Sequence, residues 1–201
     1  MRKKLKIIVL IIISSFGINA QNTIYDLGIS VNASIMKSDY GYVPGSGIKI
    51  DNRISILKTN FNLKSSLGFT KYYNYDITRN TSKKNDNLWM LDFMLEYNFF
   101  PMEKHSLATI TRNWTPYIGA GTNIIYRSAT EAKTFGTIKG SLGIKYKLSN
   151  NILLTAEGYL EWDFSDELDG KPSGSPTWYQ YDHTANFAIS LVYRWGGNPK
   201  G

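Results

Sequence analysis

The chain has 201 residues, with 23 Lys and Arg against 16 Asp and Glu, and no cysteine. The missing thiols exclude disulfide and thiolate chemistry and a lipid-anchored lipoprotein. Four of the basic residues and none of the acidic ones fall within residues 1–20, so the formal charge of +7 drops to +3 beyond them, too mild and too dispersed for nucleic acid, which asks for a clustered basic face.

The chain begins like an export signal. Arg2, Lys3, Lys4 and Lys6 precede an unbroken apolar run over residues 7–13, and Ser14, Ser15 and Gly17 lead to Ala20. This pattern predicts a Sec-type signal peptide over 1–20, cleaved before Gln21. The run is shorter than the ~20 apolar residues of a spanning helix. Residues 21–201 then form one domain.

From Tyr25 onward the dominant signal is period-two alternation, the mark of a strand. Tyr25, Leu27, Ile29, Val31, Ala33 and Ile35 are apolar, while Asp26, Gly28, Ser30, Asn32 and Ser34 are polar or small. The same rule holds over 48–56, 61–69, 89–99, 118–126, 138–148, 152–164 and 185–195. Eight segments is an even number, as a single-chain transmembrane barrel requires.

Alternation alone also fits a soluble sandwich, which buries one face of each strand. Charge separates the two. No position on the apolar side of any segment is charged, whereas the other side carries seven acidic and seven basic residues, among them Asp26, Lys49, Lys147 and Asp163. Hydrocarbon outside and ions inside is the arrangement of a barrel in lipid. The expected fold is therefore an all-β, antiparallel up-and-down transmembrane β-barrel of about eight strands. Its partner is outer-membrane lipid, and no cofactor is indicated.

Aromatic residues gather at segment ends. One group comprises Tyr97, Phe99, Phe100, Trp114, Tyr117, Tyr146, Tyr193 and Trp195; the other comprises Tyr72, Tyr73, Tyr75, Trp89, Tyr126, Phe135, Trp162, Trp178 and Tyr181. Both are expected to form interfacial girdles. Connections are expected to alternate between tight turns at 58–60 and 149–151 and longer polar loops at 38–46, 74–87, 127–134 and 165–179. The connection 100–114 breaks this rule, being fifteen residues long on the periplasmic side. The last strand closes on Trp195, a pattern that resembles the recognition signal of barrel-assembly machinery.

An eight-strand interior is nearly filled by side chains. The inward charges are expected to neutralise one another as a lumen network of Asp51, Arg53, Lys64, Asp92, Glu96, Lys139, Lys145, Glu157, Glu161 and Arg194. A conducting path would favour a ring of one sign. Catalysis finds little support. Glu157 and Glu161 are a carboxylate pair, more simply read as part of that network. Lipid A deacylases carry a His-x-Ser pair on a late strand, but here Ala185 stands two residues after His183, and Thr184 faces the other way. His105 has only Glu103 near it in sequence, short of the three or four donors of a metal site. The acidic run 163–170 lacks regular calcium-loop spacing.

Several landmarks recur in a fixed order: Tyr97-Asn98-Phe99-Phe100-Pro101, then Trp114-Thr115-Pro116-Tyr117-Ile118-Gly119-Ala120-Gly121, then Gly143-Ile144-Lys145-Tyr146-Lys147-Leu148-Ser149. Glu157-Gly158-Tyr159, the acidic loop and Tyr193-Arg194-Trp195 follow. Over 88–195 the chain resembles the PorG family, small outer-membrane barrels of the Bacteroidetes type IX secretion system. The resemblance implies a non-enzymatic component linking the outer membrane to a periplasmic ring of the PorK and PorN type. Such a ring would dock on the long periplasmic connection, with Phe100, Pro101, Glu103, Lys104, His105, Arg112 and Trp114 as candidate contacts. The alternatives are a general small barrel with a structural or adhesive role, and a narrow solute channel resembling the OmpW type.

Overall fold

The structure is a computed structural model that describes residues 23–38, 41–55, 59–73, 75–76, 81–82, 86–102, 112–127, 133–163 and 183–196. The expected signal peptide lies outside them. Eight long strands form the barrel: β1 (Ile24–Ser38), β2 (Gly41–Ser55), β3 (Phe61–Tyr72), β6 (Asp86–Asn98), β7 (Trp114–Arg127), β8 (Lys133–Lys147), β9 (Ile152–Asp163) and β10 (His183–Gly196). A short hairpin of β4 (Tyr75–Asp76) and β5 (Thr81–Ser82) stands apart between β3 and β6. Each barrel strand pairs antiparallel with its sequence neighbour, and β1 pairs with β10 to close the ring. Closure leaves no edge strand, so every ladder has a partner on both sides.

Register holds like with like. Ile29 stands opposite Ile50 on β2 and Leu191 on β10, giving an aliphatic row across three strands. Ile29, Val31, Ile48, Leu142 and Leu191 are all more than half exposed, while Asp26, Asp92, Glu96, Lys139 and Lys145 are at most 1% exposed. This is a soluble protein turned inside out, and hydrocarbon is the solvent that stabilises it.

Two expectations are corrected. The stretch 38–46, read as a loop, is mostly strand: β2 starts at Gly41, and Ser38 pairs with it directly. Pro44, Gly45 and Gly47 mimic loop composition, but Ile35 pairs with Pro44 and Tyr72 with Gly45, so neighbouring ladders hold them extended. The outer connection between β1 and β2 is therefore short. Three of the aromatics assigned to girdles also face the lumen instead. Tyr72, Tyr117 and Phe135 occupy the inward parity and are buried at 3%, 1% and 6% exposure. Trp178 and Tyr181 lie outside the described residues.

Close packing inside depends on small residues opposite large ones. The Tyr117 ring lies across from Gly143, where an added Cβ would come within 2.7 Å of its Cζ. Lys49 is likewise opposite Gly68, where a Cβ would sit 2.8 Å from the lysine Cγ.

Candidate functional site

The lumen holds seven buried acidic and seven buried basic residues, so its core is neutral. Their spacing along alternate positions of the eight barrel strands aims them all inward. Glu96 accepts from Arg53 Nε at 3.1 Å and from Lys145 Nζ at 2.6 Å, with Lys64 at 3.9 Å. Lys64 is ion-paired with Glu157 and has Asp51 at 4.0 Å. Asp51 also accepts from Ser66 Oγ at 2.7 Å and Ser190 Oγ at 3.3 Å.

A second cluster lies toward the outer end. Asp92 accepts from Lys49 Nζ at 3.1 Å and Lys139 Nζ at 2.9 Å, and Lys139 is 3.5 Å from Glu161. Glu161 further accepts from the Asn123 and Asn186 amides at 3.0 and 3.3 Å. The Tyr159 ring receives both ammonium groups, Lys139 at 3.6 Å from its centroid and Lys49 at 4.4 Å. Near the inner end, Arg194 grips Asp26 with two parallel bonds, Nε at 2.7 Å and Nη2 at 2.8 Å. Ions buried this deeply repay their desolvation only through geometry of this kind.

Apolar side chains flank the ions along the lumen, a feature the alternation pattern did not reveal. Toward the outer end Met36, Val43, Tyr72, Leu88, Met90, Ile125 and Phe135 form one cluster. Toward the inner end Met102 packs with Leu153 and Val192. Met102 belongs to the described start of the long β6–β7 connection, which places its thioether against Leu153 and Val192. The cavity beside it, lined by Ile24, Asn62, Asn98, Phe100, Pro101 and Arg194 among others, has about 30 Å³, the room of one water.

The described ends of the connection are ordered by aromatic contacts. Arg112 lies 4.1 Å over the Phe100 ring and 6.0 Å from Trp114, and Phe100 meets Trp114 edge-on at 5.4 Å. Phe100 N donates to Thr115 Oγ1 at 2.9 Å, and Arg112 N to the Pro101 carbonyl at 3.2 Å. Glu103, Lys104 and His105 lie outside the described residues. So does the acidic loop beyond Asp163. Thr184 is buried and Ala185 exposed, so the position after His183 faces in and the next faces out.

No protein-family model and no curated protein matches the sequence. Solved structures match the shape. Neisserial surface protein A aligns with a TM-score of 0.60 at 14% identity, over 85% of this chain and 97% of that one. The fold is that of a small outer-membrane barrel. The outer membrane protein OprG of Pseudomonas aeruginosa is similar at a TM-score of 0.55 and 10% identity, covering 88% and 97% of the two chains. The attachment invasion locus protein Ail of Yersinia pestis, solved with the heparin analogue sucrose octasulfate, follows at 0.51 and 12%, covering 87% and 100%. Identities this low carry architecture alone.

Proposed function

We propose that the protein resides in the outer membrane as a closed structural barrel, acting through its two rims rather than through its lumen. The observation that carries this reading is the neutral, cross-linked interior flanked by Met102 with Leu153 and Val192 on one side and by the Met90 and Phe135 cluster on the other. An ion crossing it would have to displace buried pairs at 2.6–3.1 Å. Single-channel recording on refolded protein in planar bilayers is expected to show no steady conductance. A stable open level with ion selectivity would overturn the closed lumen and favour a solute channel. Ail, a barrel of this shape, binds a polyanionic sugar analogue, which favours an adhesive outer rim over a transport role.

A second reading rests on the β6–β7 connection. It spans 99–113 at the end that carries both termini of the barrel, and its described part folds back through Phe100, Met102 and Arg112. Together with the ordered motifs over 88–195, this supports a periplasmic anchor for a secretion ring of the PorK and PorN type. Replacing 103–112 with a two-residue turn is expected to leave the barrel folded and to abolish ring association. Normal co-purification of the ring with that variant would refute the docking role.

A further inference from the structure

The outward face is apolar almost everywhere, and its exceptions are not scattered. Among the described side chains of the barrel strands, only two outward positions carry a permanent charge, Lys37 on β1 and Lys71 on β3. Both are basic, both lie at the outer end, and both sit in the same quadrant of the barrel. Lys37 pairs in register with Tyr42 on β2 and with His183 on β10. Lys71 pairs with Ser46 on β2, two strands from Lys37. Among the described residues no carboxylate lies within ion-pair distance of either lysine.

Tyrosines mark the level of the membrane interface here. Tyr42 is 76% exposed and Tyr73 46% exposed. The Tyr73 hydroxyl lies 3.1 Å from Ser46 Oγ, its backbone N–H donates to the Pro44 carbonyl at 2.9 Å, and Lys71 Nζ stands 5.6 Å over its ring. Lys71 is thus held beside a fixed aromatic instead of reaching inward. Two strand spacings across and four residues along set the lysine Cα atoms about 16 Å apart, a gap their flexible stems narrow. A cation on a lipid-facing surface is costly at mid-membrane, but at the headgroup level it meets phosphate.

We propose that the outer rim of β10, β1, β2 and β3 binds the phosphorylated headgroup of an outer-leaflet glycolipid, with Lys37 and Lys71 each engaging a phosphate and Tyr42, Ser46 and Tyr73 flanking them. Charge complementarity selects this occupant: an exposed Lys37 and a half-buried Lys71, with no carboxylate partner among the described residues and with Tyr42 and Tyr73 beside them, match an anionic lipid surface. This proposal rests on the outer-membrane placement argued above.

The test uses the full mature chain, refolded in detergent micelles and checked by heat-modifiable gel migration. Native mass spectrometry then measures retention of bis-phosphorylated lipid A, its fully dephosphorylated form, and inorganic phosphate as competitor. The wild type is expected to retain the bis-phosphorylated lipid and not the dephosphorylated one. Each lysine near the surface should contribute about fivefold, so K37Q/K71Q should bind about 25-fold more weakly, while K37R/K71R retains binding. Equal retention by folded K37Q/K71Q, equal binding of the dephosphorylated lipid, or full displacement by equimolar inorganic phosphate would each overturn the proposal. If the wild type folds in micelles but does not insert into vesicles, the membrane placement itself fails, a result distinct from loss of lipid selectivity.

Discussion

Replacing Glu96 with glutamine isolates the central tie of the lumen. The carboxylate is fully buried and receives Arg53 at 3.1 Å and Lys145 at 2.6 Å. Glutamine keeps the shape and removes the charge, leaving two buried cations without their shared anion. Removing one partner of a buried ion pair costs about 3–5 kcal/mol, and here two pairs lose their anion at once, so the loss should reach at least that range. Lys64, a third cation 3.9 Å from Glu96, keeps its own partner Glu157. The assay is reversible urea unfolding in lipid vesicles, followed by tryptophan fluorescence and read as a free-energy difference at constant m-value. Adding Lys145→Met to E96Q should recover part of the loss, because one stranded cation is removed with it. A loss below about 1 kcal/mol for E96Q, with an unchanged m-value, would show that water or a counter-ion reaches the pair and that the lumen is not dry.

Ile189 lies midway along β10, points outward, and stands opposite Val31 and Ala156. Ile189→Arg is expected to cost about 2–4 kcal/mol in vesicles, measured by the same unfolding transition, and little in a soluble-protein reading of this face. Gly143→Val would place a Cβ 2.7 Å from Tyr117 Cζ and 2.5 Å from the Ala156 carbonyl. Overpacking of this kind should lower stability by about 1–3 kcal/mol, and Tyr117→Ala should recover only part of it, because the Ala156 carbonyl still crowds the new Cβ.

The strands and their faces were legible because a barrel repeats one rule. Over 27–35 and 118–124 the alternation needed no tertiary information to say which residue faces outward. The ends were less legible. Glycine and proline at 44, 45 and 47 signal a loop in isolation, and only the ladders on both sides hold Gly41–Ser55 straight. Position along a strand misled where parity would have decided: Tyr117 sits among interface residues in sequence, yet its odd number on β7 turns it inward beneath Lys145, 4.5 Å from its ring. The apolar clusters were hidden for a related reason. Met36, Leu88, Met90 and Ile125 occupy the polar parity, and alternation treats them as noise rather than as the dry flanks of the ionic core. The place of Met102 was not readable at all, since it depends on a connection folding back on the barrel it leaves.

Buried ions add little net stability over apolar replacements, so their abundance here calls for another explanation. Register supplies one. A one-residue slip of β8 would turn Lys139 and Lys145 outward, at about 2–4 kcal/mol for the central Lys139 and up to about 1 kcal/mol for Lys145 near the interface. The pair Asp26–Arg194 applies the same constraint to the last step, because it joins the first strand to the last at directly opposed positions. The double variant D26L/R194L should therefore keep equilibrium stability within about 1 kcal/mol of the wild type while closing more slowly and with more misregistered product. The swap D26R/R194D should restore the closing rate. Folding into vesicles, followed by the appearance of the heat-modifiable band, measures both. Equal rates and yields for all three proteins would show that the hydrogen-bond ladder alone sets closure and that the ions do not specify it.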